Sequence, residues 1–224
     1  MEIWHISDTH SFHELLSVPE VDLVIHSGDF TNYHSVIKNE QEALNFLHWY
    51  GSLNIKYKLL IAGNHDSYAF SLSRIFKEQC NKYNIIYLEN ESVEIEGVKI
   101  FGSPITPTFG DWYFQKNRNK LERFWNIIPK DSDIVVTHGP PKTILDLSYN
   151  RFGSLEFCGD RPLLNRLKEI NPKLSLFGHI HNCSDIVNAG TRTIPGLDTI
   201  FSNGSIMTDR KFGKLTSNGN IFEI

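Results

Sequence analysis

The chain has 224 residues, 40% of them hydrophobic, and a formal net charge of −4 with histidine neutral. That is enough apolar material for one good core, and the expectation is a single domain spanning 1–224. The acidic balance, with no run of Lys/Arg longer than two, excludes a broad phosphate-binding surface, so long nucleic acid is not an expected partner.

The first residues enter an apolar run with no basic n-region or cleavage site, and no stretch approaches the roughly 18 consecutive apolar residues of a membrane span. Cys80, Cys158 and Cys183 lack CxxC spacing, which argues against a disulfide framework or a thiolate zinc site. A cytoplasmic protein without a membrane partner is expected; the oligomeric state stays open.

In chain order, the first element is the strand-like run 2–7, which ends in Asp8 and His10. A second run, 21–27, ends in Gly28 and Asp29. Ala43, Phe46, Leu47 and Tyr50 then recur at helical spacing before a third run, 57–62, which ends in Gly63, Asn64, His65 and Asp66. Leu72, Ile75, Phe76, Cys80 and Tyr83 repeat the helical period. The segment 84–101 alternates apolar and polar residues around Glu96-Gly97, as a hairpin with one wet face would. The aromatic segment 106–119 reads as a loop. A helical pattern through Leu121, Phe124, Trp125 and Ile128 stops at Pro129. The run 133–137 ends in His138, and a helix from Asp160, with Pro162 in its first turn, runs to Ile170. The run 173–177 ends in His179 and His181, and the tail 184–224 has short β-type runs. Both the hairpin and the tail look antiparallel, and a second, partly antiparallel sheet is expected.

Five continuous Ile/Val/Leu runs are the pattern of strands covered on both faces. Acid, amide or imidazole groups at the ends of all five have little structural rationale, because burying them without partners costs energy at each. Asp8, His10, Asp29, Asn64, His138, His179 and His181 are a set rich enough for two metal ions, with oxygen and imidazole donors only. Asp8 and His10 sit two apart and would share a face if the chain is still extended there, and His179 and His181 repeat that spacing. Asp29, freed by the Ser-Gly pair before it, suits a carboxylate that touches both ions. Taken singly, each Asp-x-His or Gly-Asn is as readily a turn or a surface pair. His5 and His26 point away from Asp8 and Asp29 by alternation and read as core or supporting residues.

The blocks Asp8/His10, Gly28/Asp29, Gly63/Asn64/His65/Asp66, His138 and Gly178/His179/His181, in that order, resemble those of the calcineurin-like metallophosphoesterases. THGPP at 137–141 and FGHIH at 177–181 are most similar to the small metallophosphoesterase-domain subgroup. The resemblance implies an α/β fold, a four-layer α-β-β-α sandwich of two mixed sheets. It implies that Asp8, His10 and His181 bind one ion, Asn64, His138 and His179 the other, and that Asp29 bridges them. It also implies that His65 serves the leaving group, with Asp66 orienting its ring, while a metal-bridging hydroxide attacks phosphorus in line. The cofactors expected are two divalent ions, manganese first, with Fe, Zn, Co, Ni or Mg as alternatives. GDFTNYH lacks the Asp-Arg-Gly extension of the protein phosphatases, and GNHD stands where they have GNHE. A small phosphorylated substrate, a cyclic nucleotide or short diester or a phosphomonoester, is therefore expected. A catalytically silent metal-binding scaffold and a small nuclease for short oligonucleotides are the alternatives. Arg118, Arg151, Trp112, Tyr113 and Phe114 are weighed as substrate contacts against solvated or plugging roles.

Overall fold

The computed structural model describes residues 1–183, 185–208 and 215–224. Its first half runs β1 (Glu2–Ile6), β2 (Leu23–His26), α1 (Val36–Ser52), β3 (Tyr57–Leu60), α2 (Ser67–Ser71), α3 (Ser73–Lys82), β4 (Ile86–Tyr87), β5 (Glu91–Ile95) and β6 (Val98–Ser103). The second runs β7 (Thr106–Pro107), β8 (Gln115–Lys116), α4 (Arg118–Phe124), β9 (Ile134–Thr137), β10 (Leu147–Tyr149), β11 (Leu155–Phe157), α5 (Arg161–Ile170), β12 (Leu174–Phe177), β13 (Gly190–Arg192), β14 (Ile200–Asn203) and β15 (Asn220–Glu223).

Two mixed sheets form, in the orders β15-β1-β2-β3-β4 and β13-β14-β12-β9-β6-β5. Strand alternation divides the apolar residues among three cores. Ile3, Leu23, Ile25 and Leu59 of the first sheet meet Ile100, Ile134, Val136 and Leu176 of the second between the sheets. Trp4, Ile6, Val24 and Leu60 face outward against Phe46, Leu47, Tyr50 and Phe76 of α1 and α3. Phe101, Val135, Phe177 and Phe201 face the other way, against Leu121, Trp125, Leu163 and Leu167. Residues buried on both sides of both sheets produce the four-layer α-β-β-α sandwich.

β1, β2 and β3 run parallel to one another in the first sheet and β9 and β12 in the second, and their carboxyl ends lie along one rim. There Ser7 donates its N–H to the Gly204 carbonyl at 2.8 Å, and Ser7 pairs with Ser205, stitching the sheets together beside the donor residues.

Two expectations need correction. The segment 84–101 is not one hairpin: Ile86–Tyr87 pairs parallel with β3, and only β5 and β6 form the antiparallel ribbon around Glu96-Gly97. Asn90, at φ 63°, turns the chain from one sheet to the other. The tail is antiparallel only in part, and the second, partly antiparallel sheet that was expected is present. β14 runs parallel to β12, β13 antiparallel to β14, and β15 antiparallel to β1, so the tail completes both sheets. Ser184 and residues 209–214 of that tail lie outside the described residues.

Candidate metal centre and cleft

At the rim the backbone turns sharply at four of the seven donor residues. Asp8, His10, Asp29 and His179 have φ of 56°, 41°, 57° and 69°, the left-handed region that non-glycine residues rarely occupy. Hydrogen bonds hold these turns: Asp8 N–H donates to Gly28 O at 2.9 Å and His10 N–H to Asp29 O at 3.1 Å. Glycine precedes Asp29, Asn64 and His179 because the space is already filled. A Cβ on Gly28 would sit 2.6 Å from His138 Nδ1, and one on Gly178 would sit 2.2 Å from Asp8 Oδ2.

The seven side chains converge in two groups. Donor atoms of Asp8, His10 and His181 lie within 4.8 Å of one another, as do those of Asp29, His138 and His179. Asn64 joins the second group through Oδ1, 3.0 Å from His138 Nε2. Asp29 lies between the groups, since its donor atom also lies within 4.8 Å of His10 and His65. Its Oδ1 accepts the His65 N–H at 2.7 Å, and Oδ2 lies 3.2 Å from His138 Nε2.

The tautomers follow from the backbone. His138 Nδ1 faces the Ser27 carbonyl at 2.9 Å and His10 Nδ1 the Thr31 carbonyl at 3.0 Å, so those nitrogens carry the protons of the neutral rings. His138 Nε2 then presents a lone pair toward a carboxylate oxygen and an amide oxygen, and His10 Nε2 lies 3.3 Å from His181 Nε2. Lone pairs aimed at common points repel one another unless a positive charge lies among them. A divalent cation with O and N ligands fits this donor set.

Electrostatics agree. Burial opposes a charged ring at His138, but Asp29 and Asp8 outweigh it and push the ring up to about 9. His181 and His138 hold Asp8, against burial, well below the usual carboxylate range, and His138 and His65 do the same to Asp29. Burial drops His10 to about 4 and His179 to about 3. His10 and His179 are neutral near pH 7 and Asp8 and Asp29 ionised, the states in which they ligate metals, whereas His138 holds a proton beside Asp29 that it would give up to a cation.

His65 has its ring edge-on to His10, with centroids 4.7 Å apart, and Trp112 lies over it at 4.4 Å. Its Nδ1 faces the Asn32 carbonyl at 3.4 Å. The expectation that Asp66 orients this ring is corrected here. Asp66 points the other way, its carboxylate accepting N–H groups of Gly63, Asp29 and Thr31 at 2.7, 2.9 and 3.0 Å and the Thr31 hydroxyl at 2.7 Å. It tethers the Asp29 loop to the Asn64 loop. The reason is positional: Asp66 precedes α2, and the concavity beneath it is lined with backbone donors. Burial, then the Asp29 charge, pushes the group up to about 8, against those hydrogen bonds.

Of the aromatic segment, Trp112 and Phe109 line the cleft of about 250 Å³ over His10, Asn64 and His179. Tyr113 packs on Phe70, and Phe114 is buried. Arg118 lines the adjoining pocket, whereas Arg151 stacks on Phe152 away from both. His26 supports the site, its Nδ1 accepting from Gly28 N–H and its Nε2 facing Thr9 Oγ1. Sequence reasoning missed Asn39, whose Nδ2 donates to the carbonyls of Tyr33 and His65 and to Thr31 Oγ1. The available signal was an amide four residues before Ala43, on the buried face of α1. Buried carboxylate, amide and imidazole donors at the rim of an α-β-β-α sandwich together define a candidate metal-binding cleft.

Comparison with known proteins narrows the class. The chain belongs to the calcineurin-like phosphoesterase family, whose profile matches residues 1–183. Metal-dependent phosphoester hydrolysis is the chemistry of that family. Metallophosphoesterase domain-containing protein 1 of Homo sapiens is 36% identical over 215 residues, covering 84% of this chain and 63% of its own length. A UPF0046 protein of Caenorhabditis elegans is 34% identical, covering 84% of this chain and 66% of its own. The chain thus spans less than two thirds of these relatives. The crystal structure of phosphopantetheinyl hydrolase from Mycobacterium tuberculosis shares the fold at TM-score 0.60 and 12% identity, over 93% of this chain and 90% of that one. No helix among the described residues is long and apolar enough to cross a membrane.

Proposed function

We propose that the chain is a dinuclear metal-dependent phosphoesterase for a small phosphodiester, such as a cyclic nucleotide or short nucleotide diester, or for a phosphomonoester. The observation that carries this reading is the convergence of carboxylate, amide and imidazole lone pairs on two adjacent points with Asp29 between them. Asp8, His10 and His181 hold one ion, Asn64, His138 and His179 the other, and Asp29 is shared. Manganese is the expected ion. Two such ions supply an activated water and neutralise charge that builds on the phosphoryl oxygens.

The chain's own groups do the rest. The Ser27 and Thr31 carbonyls keep the His138 and His10 protons on Nδ1. Asp66 fixes the separation of the Asp29 and Asn64 loops. His65 is held by its own N–H on Asp29, with Nδ1 toward the Asn32 carbonyl, and in its doubly protonated form would give the Nε2 proton to the departing oxygen. Trp112 and Phe109 wall one side of the cleft.

The test is direct. Protein loaded with Mn(II) hydrolyses bis-p-nitrophenyl phosphate, Asp29→Ala abolishes this, and elemental analysis finds two ions per chain. Absence of metal-dependent turnover in the wild type would identify a binding scaffold instead.

A further inference from the structure

Beside the metal cleft, and sharing His179, His181 and Phe109 with it, lies a pocket of about 430 Å³. Its size suits a nucleoside rather than a bare phosphate. Phe109 from the aromatic segment and Phe157 from β11 line it, both about half exposed, at 49% and 47%. Apolar rings kept in solvent beside a reactive site are surfaces on which a planar group can stack.

Two cations open into the same space. Among the described residues the Arg118 guanidinium has no hydrogen-bond or ion-pair partner, so its five donors are available. Lys142 spends one donor on the Phe157 carbonyl, which fastens β11 to the loop after His138, and keeps two. Both cations act on the same two groups, half-buried Cys158 and buried Asp160, so their fields overlap beside the pocket. Asp160 accepts the Trp125 indole N–H at 2.5 Å and is not among the residues that line the pocket. Glu156 lines the pocket too and leaves its lining net positive.

We propose that this pocket receives the organic part of the substrate and that Arg118 and Lys142 bind a second anionic group on it, remote from the ester that is cut. The substrate class is a nucleotide-like ester with two separate phosphates, rather than a cyclic mononucleotide with one. This rests on the phosphoesterase reading above and extends it.

The probe pair is thymidine 5′-(p-nitrophenyl phosphate) with and without a 3′-phosphate. In both, water adds at the 5′-phosphorus and p-nitrophenol leaves, so the pair differs only in the remote charge. Wild-type kcat/KM is expected to favour the 3′-phosphorylated ester about ten-fold or more, the scale of one charge-assisted contact. Arg118→Ala and Lys142→Ala each reduce that ratio, and Arg118→Glu, a change at an exposed position, brings it to about one or below. A ratio near one in the wild type, or one that survives in all three variants, overturns the proposal. If neither ester is turned over with Mn(II), the phosphoesterase reading fails separately. The pocket is then judged by calorimetry with thymidine 3′,5′-bisphosphate. About ten-fold weaker binding to Arg118→Glu supports it, and equal binding overturns it.

Discussion

Replacing Gly63 by alanine asks whether the glycines of the donor blocks are spatial requirements of the metal centre. Gly63 is not in the left-handed region, so alanine costs it no backbone strain. The obstacle is contact: a Cβ there lies 2.3 Å from Asp29 Oδ1, 2.5 Å from Asp29 N and 2.7 Å from His138 Cε1. Ordinary separations are about 3.5 Å, so the shared carboxylate must retreat by roughly 1 Å. Rotating the Asp29 side chain does not suffice, because its backbone N is also crowded and is held by Asp66 at 2.9 Å. Overpacking of this kind costs about 1–3 kcal/mol, and a misplacement of about 1 Å at a reacting centre costs roughly 10²-fold in rate. The assays are thermal unfolding, expected to fall by about 3–10 °C, ions per chain, and kcat/KM on bis-p-nitrophenyl phosphate. Gly97→Ala is the contrast. It has nothing within 4 Å of a Cβ but φ of 81°, so it loses about 1–2 kcal/mol of stability and keeps its metal. A Gly63→Ala protein with full metal content and kcat/KM within about three-fold of wild type would refute the reasoning.

His65→Ala is expected to keep both ions and lower kcat by about 10²–10⁴ for an alkyl ester, with a smaller loss for p-nitrophenyl esters, whose leaving group needs no proton; equal losses on both esters would argue against a proton-donor role. Asp66→Asn turns amide hydrogens toward backbone donors and is expected to lose about 3 kcal/mol or more, since buried donors are left unsatisfied at about 1–3 kcal/mol each; denaturant unfolding measures it, and an unchanged midpoint would sink the tethering role. Burial drops His26 to about 3, so the folded ring stays neutral where the unfolded ring, near 6.5, is protonated. Stability is therefore complete above pH 6.5 and falls by about 1.4 kcal/mol per pH unit from this ring as pH drops toward 3. Nitrogen-resolved NMR at pH 5.5 is expected to find His26 as the neutral Nε2–H tautomer; a ring titrating near 6.5 would contradict this.

The donor residues were legible because each follows an apolar run too continuous to be anything but a buried strand, and polar groups have no other reason to end all five. The four layers came from family resemblance, since alternation alone also allows an ordinary doubly wound sheet. Partner choice between strands is long-range, which is why Ile86–Tyr87 and the tail were misplaced: Asn90 reverses the chain by its φ, not by any change in periodicity. The β10–β11 ribbon was invisible because Leu155 and Phe157 face solvent and leave no buried stripe to read. Asp66 was misread because its role was carried over from the family pattern, whereas its orientation depends on backbone N–H groups from Thr31 and Asp29, more than thirty residues away.

The stitch between Ser7 and Gly204–Ser205 places the seam of the sandwich directly under the donors, and the donors are divided across that seam. Asp8, His10, Asp29 and Asn64 belong to loops of the first sheet, and His138, His179 and His181 to loops of the second. A bound ion pair is thus a rivet through two plates: sliding one sheet past the other must shear it. Mechanical pulling or hydrogen exchange along β1 and β12 should therefore register metal as slower opening of the seam, well before any change in the outer helices.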